Sequence, residues 1–301
     1  MNAMDFKQQY KFEYEGIEYL KLCYGIVLYW VGEFERQEVG LKRFFETFEP
    51  KIAAEVKMYQ TTNMKRPKKL NVKPQELVDA FLQRSEPADA RHLRIDNRRH
   101  KDEAPDLGLE FVHVDYRNVG YAIARISPEK VTSEELLQMA QSGVEQIAFA
   151  HGHCGFALCY NDLGELASLA KPEFYALAMR HCGLDLPSAN NTSFVIGDGL
   201  KCANWLTFVG NDLMQQHRFV APKSALPGIV VHRQQHGLMF QAGASPFIGD
   251  VNRKENCEAY HVVGRLLSDL RTRKHPAFIM GTDGVMASDE RTEEWLSRFD
   301  E

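Results

Sequence analysis

The sequence predicts an α+β fold, with mixed or antiparallel sheet and helices packed on it. Runs rich in β-branched and aromatic residues alternate with segments whose apolar residues recur at helical spacing, and two pairs of strand-like runs are separated by turn signals. Hydrophobic residues make up 44% of the 301, enough to bury a sizeable core in one large domain or two closely packed ones.

Residues 19–29 read as a long strand. Leu41, Phe44, Phe45, Phe48 and Ile52 then fall on one face of an amphipathic helix. A short strand is expected at 56–59, a basic loop at 61–72, and a helix that Pro74 opens as its first residue and that runs through Leu77, Phe81 and Leu82. The charged stretch 91–101 reads as a second loop. Residues 109–116 and 121–126, joined by a turn at Asn118–Gly120, form a hairpin that Ser127-Pro128 ends. Thr132 or Ser133 caps a helix with Leu136, Leu137, Ala140, Val144 and Ile147 on its buried face, and a turn at His151-Gly152-His153 leads into a strand at 154–160. Pro172 opens a helix through Phe174, Leu177 and Ala178, with Gly183 at its C-terminal cap. A second hairpin pairs 228–232 with 238–242 across a five-residue polar link, and Tyr260, Val263, Leu266, Leu267 and Leu270 mark a last helix. The elements divide into a lobe at 1–105 with basic loops and a lobe at 106–301. Two related lobes and one continuous domain both stand open, since no matching side chains link the halves.

Several function classes are disfavoured. The most apolar stretch, 17–31, is broken by Glu18, Lys21 and Gly25, so no membrane span is expected. The start, Met1-Asn2-Ala3-Met4-Asp5-Phe6-Lys7, has no secretory pattern, which points to the cytoplasm. Six cysteines without a Cys-x-x-Cys pair suit reduced thiols used as small hydrophobes. Asn190-Asn191-Thr192 matches a glycosylation acceptor but lacks the export signal that would give it meaning. The net charge of −5 is uneven: 19 basic against 17 acidic side chains up to residue 105, then 17 against 24. Lys65, Arg66, Lys68, Lys69, Arg91, Arg94, Arg98, Arg99 and Lys101 concentrate the positive charge in expected loops. They carry an alternative reading as a nucleic-acid-binding protein, although no helix-turn-helix, zinc finger or ribonucleoprotein motif accompanies them.

Catalytic constellations are weak. His151, His153 and Cys154 offer metal-ligand chemistry, but no second pair lies at finger spacing and His-Glu-x-x-His is absent. No Gly-x-Ser-x-Gly elbow occurs. Gly197-Asp198-Gly199-Leu200-Lys201 lacks the Walker spacing and reads as a turn, and Asp198 and Asp250 each follow a glycine, as turn residues do. The expectation is no catalysis, no cofactor and no metal; a metal-dependent enzyme centred on His151 and His153 is the remotest alternative.

Two stretches are distinctive: Gly197-Asp198-Gly199-Leu200-Lys201-Cys202-Ala203-Asn204-Trp205-Leu206-Thr207-Phe208, and Phe240-Gln241-Ala242-Gly243-Ala244-Ser245-Pro246-Phe247-Ile248-Gly249-Asp250-Val251-Asn252-Arg253. With Gly155-Phe156-Ala157 and the 260–271 segment, they make the chain resemble the bacterial type VI secretion immunity family over roughly residues 15–275. The resemblance implies an antitoxin that binds and occludes a cognate secreted effector, often a nuclease of the restriction-endonuclease-like kind, including virus-type replication-repair nucleases. Asn204, Trp205, Phe208, Gly243, Pro246, Gly249, Asp250 and Arg253 are first expected to shape the fold: Trp205 in the core with a partner for its indole N–H, and Asp250 with Arg253 as a clamp on the glycine loop.

A nuclease site built to receive phosphates attracts competing carboxylates. The candidate toxin-binding residues are therefore Glu33, Glu35 and Glu38, then Asp102, Glu103 and Asp106, with a further acidic patch at Asp289, Glu290, Glu293 and Glu294. The expected partner is a nuclease effector, with no membrane and no direct nucleic acid; the oligomeric state is left open.

Overall fold

The computed structural model describes residues 3–83, 89–222, 224–282, 284 and 286–301; Met1 and Asn2, part of the N-terminal reading, lie outside them. Among the described residues eleven strands run in chain order as β1 (Phe12–Tyr14), β2 (Ile17–Val31), β3 (Met58–Thr61), β4 (Lys68–Lys69), β5 (Arg91–Asp96), β6 (Gly108–Val114), β7 (Val119–Ile126), β8 (His151–Tyr160), β9 (Leu206–Gly210), β10 (Ile229–Gln234) and β11 (Gly237–Ala242). They form one sheet in the order β10-β11-β9-β8-β2-β7-β6-β5-β3-β4, with β1 added to β2. The pairings along it are antiparallel. β2 lies between β7 and β8, so the same sheet passes through the segments on both sides of residue 105.

The long strand β2 is the spine, paired with β7 from Tyr24↔Ile126 to Val31↔Val119 and with β8 from Leu20↔Tyr160 to Tyr29↔His151. Side chains alternate across a strand. Leu20, Leu22, Tyr24, Ile26, Leu28 and Trp30 thus enter the main core, while Val27 and Tyr29 join Tyr121, Ile123 and Ile196 in a smaller cluster on the opposite side. Helices cover the first face. The Glu38–Ile52 helix buries Leu41, Phe44, Phe45, Phe48 and Ile52. It packs against the Ser133–Val144 helix, which is started by a capping box: Thr132 Oγ1 accepts from Glu135 N at 3.2 Å, and the Glu135 carboxylate accepts from Thr132 N at 2.8 Å. Pro74 opens the helix Pro74–Leu82, which packs on β5.

Several sequence expectations are corrected. The stretch 91–101 is not a loop throughout: Arg91–Asp96 is β5, with Leu93 and Ile95 in the core and Arg94 and Asp96 on the other face. Charge hid a period-two strand there. Within 61–72, Lys68–Lys69 pairs with β3 as an edge strand. The expected turn at 151–153 is instead the start of β8. The second hairpin turns on Gln235 and His236 alone, because Gln234 pairs with Gly237. Pro172 precedes the helix Glu173–Arg180 as its N-cap, and the C-cap is His181 rather than Gly183. No helix among the described residues is long and apolar enough to cross a membrane.

β8 changes neighbours at Gly155, with His151–Cys154 paired to β9 and the Phe156–Leu158 backbone exchanging hydrogen bonds with Asp185. Asn204 fills the junction. Its Oδ1 accepts from Trp205 N at 2.7 Å, and its own N–H donates to Thr207 Oγ1 at 3.0 Å. A Cβ added at Gly155 would lie 2.0 Å from that Oδ1. Gly155→Ala is therefore expected to cost about 1–3 kcal/mol, read as a lower urea midpoint with an unchanged slope.

Candidate partner-binding face

On its second face the sheet carries a cleft whose apolar floor is flanked by charged groups. β2, β7 and β8 supply Cys23, Gly25, Val27, Tyr29, Tyr121, Ile123 and Ala157 to a floor that Arg94, Glu110 and Arg125 flank, and Tyr160, Asp162, Lys171 and the 185–191 segment complete a cleft of about 290 Å³. Small side chains at its centre keep the floor low: a Cβ at Gly25 would already stand 3.0 Å from that of Ala157.

Several ionic groups around this cleft pair with one another. Lys201 Nζ donates to Asp185 Oδ1 at 2.7 Å and to the Leu186 carbonyl at 2.8 Å, and Asp185 Oδ2 lies 3.0 Å from His153 Nε2. Lys201, Asp185 and His153 are all buried. Burial by itself would raise the Asp185 pKa, but His153 and Lys201 outweigh it and hold the carboxyl well below its ordinary range. Glu110 follows the same logic: burial raises it, and His92, Arg125 at 3.1 Å and Arg94 pull it far below the usual value. Arg94 lies 3.1 Å from Asp96 and 3.2 Å from Asp162. Such pairing fixes the side chains that line the cleft.

His151, buried beside Tyr29 with ring centroids 4.7 Å apart, is pushed down to about 3, first by burial and then by its neighbours His153, His275 and Lys201. The unfolded chain takes up this proton below about 6.5 while the folded chain refuses it until about 3. The histidine's contribution to stability is thus present above the unfolded pKa and lost as pH falls. Each unit below about 6.5 is expected to remove about 1.4 kcal/mol through this residue. Urea titrations between pH 7 and 5 should show that decline, and His151→Gln should flatten it.

At the end of β2 the same face runs out into an exposed apolar and acidic rim. Val31, next to Val119, is 51% exposed, Tyr116 is 73% exposed and Phe194 is 63% exposed. Arg117, the residue after Tyr116, stacks on the second of these rings, with its guanidinium 4.3 Å from the Phe194 ring centroid. Gly32 N donates to the Asn118 carbonyl at 2.7 Å, and Arg91 joins Asp115 at 3.2 Å to Glu35 at 3.8 Å. Glu33 lies 3.4 Å from exposed Arg36, and Glu38 begins the helix that follows.

Glu33, Glu35 and Glu38 thus fall in the short segment that follows β2, with Glu35 linked to Asp115 through Arg91, while Asp102, Glu103 and Asp106 lie elsewhere. Asp102 is buried and accepts from Glu165 N at 2.6 Å, Glu103 accepts from Lys21 at 2.8 Å, and Asp106 accepts from Asn97 at 2.9 Å. Lys21 lies near the start of β2 and Val31 at its end, on the order of 30 Å apart at strand rise. In the last helix Glu293 holds Arg271 at 2.6 Å and Glu294 accepts from the Tyr175 hydroxyl at 2.5 Å, while Asp289 and Glu290 occupy the first turn.

The motif residues lie in the framework behind this face. Trp205 and Phe208 are fully buried, and the Trp205 indole N–H donates to the Gly243 carbonyl at 3.2 Å. Gly243 and Gly249 have φ of +84° and +71°, and Pro246 is buried between them. Asp250 accepts two hydrogen bonds from Arg180, at 3.1 and 2.9 Å, while Arg253 stands at 3.6 Å. The main clamp is thus Arg180, which sequence spacing did not reveal. Lys201, at the end of the glycine run, points into the protein rather than toward a phosphate, and among the described residues no three His, Cys, Asp or Glu side chains converge as a metal site. Of the basic candidates, Arg91, Arg94 and Arg98 are buried in ion pairs, Arg98 at 2.7 Å from Asp96, leaving Lys65, Arg66, Lys68, Lys69, Arg99 and Lys101 exposed. Tyr116, Phe194 and the Asp185–Lys201 pair escaped the sequence reading. Nothing in a linear pattern distinguishes an exposed aromatic from a buried one.

Residues 129–299 match the family model TsiV, described as type VI immunity for VRR-NUC, and the chain belongs to that family. A solved structure, the Pseudomonas aeruginosa T6SS protein PA0821, is similar in fold, with a TM-score of 0.80 at 16% identity over 95% of this chain and 83% of that one. No curated protein matches.

Proposed function

We propose that this immunity protein neutralises a VRR-NUC effector in the cytoplasm by binding it and covering its working surface, without chemistry of its own. Family membership supports the immunity role, and the consumption of Asp185, Glu110 and Arg94 in internal ion pairs supports binding without turnover. The continuous sheet favours treating the chain as one body rather than two lobes divided after residue 105. The docking surface is the rim at the end of β2. The observation behind that assignment is that Tyr116 and Phe194 are exposed, the second stacked on Arg117, while Arg91 links Asp115, the residue before Tyr116, to the exposed Glu35. Aromatic anchors with a charged margin are what tight interfaces use, and acidic groups complement a nuclease surface that receives phosphates. Glu38 extends the margin; Asp102, Glu103 and Asp106 are secondary, being engaged within the fold.

Expression of a VRR-NUC effector in a host with and without this chain tests the function. Survival and co-purification are expected with it. Equal killing in both strains would end the proposal.

A further inference from the structure

Cys182 and Cys257, 75 residues apart in sequence, stand with sulfurs 2.7 Å from each other. We propose that they form an oxidation site, closing a disulfide by exchange with a disulfide-class oxidant such as oxidised glutathione. Two geometric observations support this. The sulfurs are nearer to each other than ordinary non-bonded contact, and the backbone around them is fixed on several sides. Cys257 is the N-cap of the Glu258–Leu267 helix. Arg298 Nε donates to the Cys182 carbonyl at 2.9 Å, and His181 holds the Gly249 carbonyl at 2.8 Å. A Cβ at Gly249 would stand 2.9 Å from one sulfur and 3.2 Å from the other, so only glycine leaves them room to meet.

Accessibility sets the order of events. Cys182 is partly exposed and Cys257 is buried. The hydrogen bond from Cys257 lowers the Cys182 pKa to about 7, against a smaller opposing effect of burial, and Arg298 adds to the lowering. Cys182 is therefore the attacking thiolate. It displaces one thiolate from the oxidant and forms a mixed disulfide; Cys257 then loses its proton and attacks the Cys182 sulfur, releasing the second thiolate. Two protein thiols are oxidised, one small disulfide is reduced to two thiols, and both protons pass to the leaving groups. The new bond ties the end of the Glu173–Arg180 helix to the start of Glu258–Leu267, across the Gly249–Asp250 loop. Cys23 and Cys159 also neighbour each other, but both are buried, whereas Cys182 is partly exposed.

The test uses the full reduced chain, equilibrated with oxidised glutathione at pH 8, alkylated and analysed by intact mass and peptide mapping. One internal disulfide per chain is expected, assigned to Cys182 and Cys257, with a melting temperature raised on the order of 5–10 °C. Cys182→Ser and Cys257→Ser should abolish both changes, whereas Cys159→Ser should not. The proposal fails if Cys182 and Cys257 of the wild-type chain remain alkylatable, if they stop at separate glutathione adducts, or if the bond joins other cysteines. No effector is needed, so the result is independent of the docking assignment.

Discussion

Asp185→Ala is expected to lower the unfolding free energy by about 3–5 kcal/mol, among the largest effects of any single substitution in this chain. Asp185 takes a hydrogen bond from Lys201 at 2.7 Å and lies 3.0 Å from His153, with all three side chains removed from water. Loss of the carboxylate leaves an ammonium buried under the Trp295 ring, 5.1 Å from its centroid, with only the Leu186 carbonyl as acceptor. An uncompensated buried charge is far costlier than a buried pair is favourable. Removing both partners, as in Asp185→Leu with Lys201→Met, should recover most of the loss. Urea unfolding of the two single variants and the double variant measures the coupling directly; additive losses would mean that the pair does not act as a unit.

The second large effect concerns affinity. Tyr116→Ala together with Phe194→Ala is expected to weaken effector binding on the order of 100- to 1,000-fold. The melting temperature should barely move, because the two rings are 73% and 63% exposed and bury little area within the chain. Reversing the nearby charges, with Glu33→Lys and Glu35→Lys, should act mainly on the association rate and should do so less as salt rises, since both carboxylates sit in water. Surface plasmon resonance at two salt concentrations separates these contributions. If the aromatic variant binds as the wild type does, the docking surface lies elsewhere.

Much of the framework was legible in the amino-acid sequence because single-face patterns dominate it. The helix through Leu41, Phe44, Phe45, Phe48 and Ile52, the cap at Thr132 and a hairpin from β6 to β7 all follow from local rules, and each is present, although the hairpin turns at Asp115–Asn118 and Val119 and Gly120 already belong to β7. β5 was missed because charge was taken as a sign of solvent, whereas Arg94 and Asp96 pair on the second face of the sheet. The same error lent weight to a nucleic-acid reading that depended on Arg91, Arg94 and Arg98. At the site, Glu33, Glu35 and Glu38 were read from sequence as one of several acidic groups, and only the tertiary structure sets them apart from Asp102, Glu103 and Asp106. That distinction depends on Lys21, Asn97 and the Glu165 amide, partners brought from distant parts of the chain. Asn204 and Gly155, 49 positions apart, explain each other only when β8 is seen to change neighbours between them.

The most direct test of neutralisation by coverage is a titration of a VRR-NUC effector's nuclease activity with this protein at concentrations far above their dissociation constant. Activity should fall in a straight line and vanish at a fixed whole-number ratio, and the effector should recover activity when the complex is dissociated. Complete loss of activity at a small fraction of an equivalent, or an effector left chemically altered after separation, would contradict the account.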